Sequence, residues 1–238
     1  PPCVDVLEAK ELWIVAGIFD ALALVHHNIA AVSAMSSNAF PSDSLQALVA
    51  ARSGNLPKLV WALDNEPGAH AYTKRWVRMA RDLGFTCEAA QIPQRDNKKV
   101  DWNDLHQRWQ FLDEGEKRDA QVDKDITTAR HYGALLIAEN ATEKALVMFD
   151  WKRRSEFHLE FGNRLYWFKL DLEKYNKAIQ ELEDSDQHDD QQLNNKQMRS
   201  KAMQQCGALQ RIATCNPKAL YYQENKLTDE SWYYFRIT

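Results

Sequence analysis

Residues 11–24 read ELWIVAGIFDALAL. Leu12 to Val15 is an apolar run of strand length, and Ala16-Gly17 supplies a tight exit. Asp20 stands where a helix begins, and Ala21-Leu22-Ala23-Leu24 gives that helix its packing side. Strand, glycine turn, helix is the opening half of a β-α-β unit. In α/β proteins chemistry gathers at the carboxyl end of such a strand, so Ala16 is the position to explain.

Working outward, Ile29 to Ala34 reads as a second short strand. After the loop at Ser36-Ser37-Asn38, Pro41 serves as the first-turn proline of a helix over about 42–52, closed by Gly54-Asn55. KLVWAL (58–63) is a third strand and stops at the acidic turn Asp64-Asn65-Glu66-Pro67-Gly68. A helix over about 69–83 follows, carried by Trp76, Val77, Met79, Ala80 and Leu83 and ended by Gly84. FTCEAAQI (85–92) reads as a fourth strand. After a charged loop, Asp101-Trp102-Asn103-Asp104 opens a helix to about 111. This alternation predicts an α/β domain with a mostly parallel sheet covered on both faces.

The pattern changes after Phe111. Residues 113–130 are highly charged and read as a linker or exposed helix. The apolar runs 134–138 and 145–149 leave helix and strand both open. EFHLEF (156–161) and RLYWFKL (164–170) alternate around Gly162-Asn163, a hairpin signature. A helix is expected over 171–184, then an acidic, mobile tract to 195, a helix over 196–208, a strand near 210–214 and a hairpin around Asn225 to Glu230. Trp232 to Phe235 read as strand packing. The expected organisation is an α/β domain over 1–112, a charged connection over 113–130 and a smaller α+β accessory domain over 131–238.

The 238 residues are 45% hydrophobic and 27% charged, with a net charge of -4. That is a globular composition without a global basic signal, so any nucleic-acid contact would be carried by a local groove or by bound cations. No apolar run approaches the roughly 20 residues that span a bilayer, and no membrane partner is expected. Cys3, Cys87, Cys206 and Cys215 form no C-x-x-C pair and make a poor zinc signal. Reduced thiols and a cytoplasmic protein are expected. The Pro1-Pro2 start, without an initiator methionine, reads as an excised or processed piece of a longer polypeptide. No G-x-x-x-x-G-K-[ST] occurs, so the segment shows no ATPase motif.

Asp64 and Glu66 are the leading candidates for chemistry. Carboxylates clustered at a strand end can be held ionised by a hard divalent cation, Mg²⁺ or Mn²⁺, with substrate phosphates completing the shell. The plainer reading is a solvated turn that caps the next helix. Asp101 and Asp104 admit the same two readings: further metal ligands, or an N-cap and its N3 partner. Lys74, Arg75, Arg78 and Arg81 form a basic series that suits either a phosphate backbone or solvent. Lys152-Arg153-Arg154 could contact phosphates while Tyr166 or Trp167 stacks on bases. His26-His27 suits a helix C-terminus, with no third histidine nearby in sequence.

Taken together, LWIVAGIFDALAL, KLVWALDNEPGAHAY and KKVDWNDLHQRW resemble the Toprim domain, shared by primases, topoisomerases and several nucleases. The family pattern is Glu-Gly at the end of the first strand, Asp-x-Asp after the third, and often a further acidic residue. The resemblance spans 11 to about 111, with DWNDL closest to primase-like members of phages, plasmids or other mobile elements. It implies a compact fold with a central, mostly parallel four-stranded sheet flanked by helices, and Mg²⁺-directed phosphoryl transfer on nucleic acid. By the resemblance Ala16 holds the place of the family glutamate, and Gly17 matches the glycine after it. Asp64 matches the first aspartate of Asp-x-Asp, Glu66 stands for the second, and Asp101 or Asp104 is the later acid. A methyl group cannot act as general acid or base, so Ala16 marks either an engineered inactivation or natural degeneracy.

The resemblance implies a DNA primase-like nucleotidyltransferase acting on single-stranded DNA and nucleoside triphosphates. A helicase or zinc-binding module would lie elsewhere in the parent protein. A metal-dependent nuclease on the same carboxylates, and a degenerate module that binds nucleic acid or a replication partner, are the alternatives.

Overall fold

The computed structural model describes residues 8–52, 55–94, 99–112, 115–186, 194–215, 218–225 and 230–236. Cys3, most of the acidic tract expected to be mobile and the tip of the last hairpin lie outside the described residues. The chain divides into two compact units, Pro1–Ile137 and Ala138–Thr238.

The first unit runs β1 (Glu11–Val15), α1 (Ile18–His26), β2 (Ala31–Ser33), α2 (Ser42–Arg52), β3 (Lys58–Trp61), α3 (Pro67–Asp82), β4 (Cys87–Ala89), α4 (Trp102–Gln110) and α5 (Glu116–Ile137). Its strands form one parallel sheet in the order β2-β1-β3-β4. Successive strand residues point to opposite faces. Trp13, Val15, Val60, Ala62 and Ala90 pack with Leu24 of α1, Leu105 and Trp109 of α4, and Ala129 of α5. Leu12, Ile14, Leu59, Trp61 and Cys87 pack with Leu45 and Leu48 of α2 and with Trp76 and Val77 of α3. Burial on both faces is why these strands read as unbroken apolar runs.

The fourth strand is shorter than the apolar run suggests. The Ala90 N–H still reaches the Trp61 carbonyl of β3 at 2.9 Å, but the next donor turns away: the Gln91 backbone N–H donates to the Ala129 carbonyl of α5 at 2.8 Å. Gly133, one turn further along α5, lies so close to β4 that a Cβ there would overlap the Ala89 carbonyl group. At the opposite end of the strands Arg130 pairs with both Glu11 and Glu88. Lys58 Nζ reaches the same two carboxylates at 2.8 and 3.0 Å. The guanidinium also sits 5.0 Å over the Trp13 ring. The charged stretch after 112 is therefore helical and largely part of the first unit, whose boundary falls at 137.

The second unit contains α6 (Ala141–Lys152), β5 (Glu156–Phe161), β6 (Arg164–Lys169), α7 (Leu172–Asp186), α8 (Asn195–Gln205), β7 (Leu209–Ala213), β8 (Lys218–Asn225) and β9 (Glu230–Arg236). β5-β6-β7 is an antiparallel sheet, and β8-β9 is a separate antiparallel pair. Gly162 and Asn163 both take φ of 57°, the backbone that a two-residue hairpin turn demands. Phe168, Leu159, Ala145, Tyr175, Ala202 and Met203 form the core. Arg199 clamps α8 to α6 through a two-pronged pair with Asp150. The two ambiguous apolar runs are both helical, at the end of α5 and within α6.

Candidate functional site

The site lies at the carboxyl edge of the parallel sheet, where β1 and β3 hand over to α1 and α3. Gly17 is the N-cap of α1 in extended conformation. A Cβ there would stand 2.8 Å from Asp20 Oδ2, so any larger residue would make that carboxylate shift. Ala16 is half-buried, and its carbonyl accepts the Ser33 hydroxyl at 2.9 Å.

The acidic turn after β3 is pinned from two sides. Asn65 Nδ2 donates to the Ile92 carbonyl at 2.6 Å, and Asn65 Oδ1 meets His70 Nε2 in a short contact. Glu66 is the N-cap of α3 and Pro67 its first residue. Between these anchors Asp64 and Glu66 share one cation: Lys99 Nζ lies 3.1 Å from Asp64 Oδ2 and 2.7 Å from Glu66 Oε1. Those two carboxylates raise the Lys99 pKa, Glu66 first and Asp64 next.

Asp101 and Asp104 form a reciprocal capping box at the start of α4. Asp104 N–H donates to Asp101 Oδ1 at 2.8 Å, and Asp101 N–H donates to Asp104 Oδ2 at 3.1 Å. The structure thus places the capping role directly, and one oxygen of each carboxylate is engaged in it.

Asp20 is the residue that pattern reading missed. It is only 8% exposed, and its Oδ1 accepts the Asn103 backbone N–H at 3.1 Å. Burial raises its pKa, opposed by that hydrogen bond and reinforced by the negative charges of Asp101 and Asp64. The same edge therefore carries Asp20, Asp64 and Asp101 within electrostatic reach of one another. Among the described residues no three His, Cys, Asp or Glu side chains converge tightly enough to cage an ion. The donor set fits an open magnesium-type site instead: paired hard oxygens from one or two carboxylates, with water and phosphate supplying the rest. The Lys99 ammonium, seated between Asp64 and Glu66, marks where positive charge is accepted.

Lys74 and Arg78 are exposed and four residues apart on α3, hence on one helix face; the buried face carries Trp76 and Val77. Arg75 is exposed and lies 5.3 Å over the Trp76 ring. In the second unit Lys152, Arg153 and Arg154 are exposed at the end of α6, where Arg153 takes the left-handed C-cap conformation. Tyr166 packs against the core, whereas Trp167 donates Nε1 to Glu156 at 3.1 Å and carries Lys169 at 5.4 Å from its ring centroid. Of the two aromatics, Tyr166 is the one committed to the core.

The histidine pair has a spatial partner that the sequence spacing concealed. His27 Nε2 and His106 Nδ1 are 3.1 Å apart, and the His26 ring lies 4.9 Å from that of His106. Burial first, then His106, His26 and Arg118, push the His27 pKa down to about 4, with Asp119 opposing.

The described thiols Cys87, Cys206 and Cys215 are free. Among the described residues no helix is long and apolar enough to cross a membrane.

Comparison with known proteins adds three findings. A family model described as Toprim-like matches residues 13–106. The chain is similar to the crystal structure of the RNA polymerase domain of Mycobacterium tuberculosis primase DnaG, at 19% identity and a TM-score of 0.40. That likeness covers 62% of this chain and 48% of that one, so the chain spans about half the length of the domain it matches. No curated protein matches. The parallel β2-β1-β3-β4 sheet lies almost wholly within that span, and residues 13–106 are Toprim-like.

Proposed function

We propose that this chain is the Toprim portion of a DNA primase-like nucleotidyltransferase, acting on single-stranded DNA and nucleoside triphosphates with Mg²⁺ or Mn²⁺. The observation that carries the reading is the single ammonium of Lys99 held between Asp64 and Glu66 at the carboxyl edge of the sheet. Asp64 and Glu66 would hold the cation, with the capping-box carboxylates Asp101 and Asp104 beside them. When bound, the metal offsets charge on the transferring phosphates. Lys99, released from the carboxylates, becomes a donor for a phosphate oxygen. Lys74 and Arg78 supply positive charge on the adjoining helix, and Lys152, Arg153 and Arg154 do the same for template or product on the second unit.

Ala16 favours a second reading, a catalytically degenerate module that retains binding. Activity assays of Ala16→Glu beside the parent chain separate the possibilities. Primer synthesis on single-stranded DNA by the glutamate variant supports the primase reading. Strand loss without nucleotides supports a nuclease. Metal-independent nucleic-acid binding with no activity in either protein supports the degenerate module.

A further inference from the structure

The cleft between α1 and α4 has no part in the reading above. It is a cavity of about 370 Å³ lined by Phe19, Leu22, His26, Asn103 and His106 among others. This volume falls in the roughly 300–1,000 Å³ range of small-molecule sites. Phe19 is 74% exposed and Leu22 47%, on a helix whose inner face is fully packed. A large aromatic left in solvent beside convergent polar groups marks a surface that receives something.

Two observations say what. First, the cleft adjoins the acidic edge through Asn103, which lines it while its backbone N–H holds Asp20, which in turn feels Asp64 and Asp101. Second, the wall is mixed: Phe19, Leu22 and Val25 stand beside Asn103 and His106, and among the described residues no lysine or arginine lines it. His106 engages Nδ1 with His27, and burial, then His26 and Arg118, lower its pKa. Phosphate recognition calls for positive charge. An aromatic face with imidazole and amide edges suits an uncharged heteroaromatic ring, which can stack and hydrogen-bond at once.

We propose that this cleft receives the nucleobase of the nucleoside triphosphate, with Phe19 as the stacking residue; the proposal rests on the nucleotide-binding reading of the acidic edge. The phosphates would then lie toward Asp64 and Glu66.

The test is calorimetric titration of the whole chain, in Mg²⁺ buffer, with ATP, inorganic tripolyphosphate and a short oligothymidylate. ATP is expected to bind more tightly than tripolyphosphate. Phe19→Ala should lose on the order of 10-fold in ATP affinity, in line with base–aromatic stacking, and nothing in tripolyphosphate affinity. Phe19→Tyr should retain the ATP affinity. Thermal melts matching the parent would show that the variants fold. Equal affinity for ATP and tripolyphosphate, or equal losses for both in Phe19→Ala, overturns the base pocket while leaving the metal–phosphate reading standing. If neither ligand binds, both readings fall. A Phe19 effect on the oligothymidylate alone would assign the cleft to a strand and overturn the proposal.

Discussion

Asp20 Oδ1 accepts the Asn103 backbone N–H at 3.1 Å, joining the first turn of α1 to the first turn of α4 across 83 residues of sequence. The bond draws the β1–α1 turn and the DWND segment to one edge, and it does so with a carboxylate that burial makes reluctant to ionise.

Asp20→Asn follows from that tension. A carboxyl with a raised folded-state pKa is most stabilising when protonated, so at neutral pH its charge works against folding. The amide keeps an acceptor for Asn103 N–H and removes the repulsion from Asp64 and Asp101. The expected outcome is an unchanged or higher melting temperature, by on the order of 2 °C, together with weaker Mn²⁺ binding. Thermal melts and a Mn²⁺ titration on the same samples check it; a large drop in melting temperature contradicts it.

Lys99→Met removes the ammonium that Asp64 and Glu66 now share. Unneutralised, the two carboxylates should bind a divalent cation more tightly. Coulomb energies near 1 kcal/mol for exposed charges correspond to roughly 5-fold. Screening should shrink the gain as salt rises. Parallel Mn²⁺ titrations of parent and variant at low and high salt decide the matter, and weaker binding by Lys99→Met would remove the competitive role of the lysine.

Gly133→Ala tests the contact of α5 with β4. The added methyl must displace the Ala89 carbonyl group or push the helix away. Overpacking of this kind costs about 3 kcal/mol, a fall in melting temperature on the order of 10 °C for the first unit. Near-ultraviolet circular dichroism, to which Trp13, Trp61, Trp76, Trp102 and Trp109 contribute in this unit, follows its unfolding. Parent-like stability would show that α5 tolerates displacement.

The histidine cluster predicts an acid-side loss of stability. His27 has a folded pKa pushed down to about 4, against about 6.5 for an unfolded histidine. The unfolded chain therefore takes up a proton first as the pH falls. Stability is full above about 6.5 and declines toward about 4. With the partial exposure of the ring and solvent screening, the loss attributable to His27 is about 1 kcal/mol. Denaturation curves at several pH values should show it, and His27→Gln should flatten the slope between pH 6.5 and 4.

Where the sequence was legible, the reason is local. Leu12 to Val15 and Lys58 to Trp61 are strand-length runs ending at a glycine or an acidic turn, and both became buried parallel strands. The hairpin at Gly162-Asn163 follows from residues that accept positive φ. Runs such as 134–138 and 145–149 carry no readable period, because an all-apolar segment gives the same pattern as helix or strand; packing alone made them helical. Two parts of the site were hidden for another reason. Asp20 reads as an ordinary first-turn acid until α4 delivers Asn103 to it. His106 joins His26 and His27 only through the packing of α4 on α1.

The position of α5 also separates two meanings of a domain boundary. The span matched by the family model stops at 106, but a polypeptide cut there would lose Val122 and Ala129 from the core under Trp13 and Val60. It would leave Gln91 N–H without the Ala129 carbonyl, and Glu11 and Glu88 without Arg130. The span matched by the family model is thus shorter than the compact unit that packs around it. Excising the recognisable segment alone would yield a sheet with one face covered only by α1 and the first turns of α4.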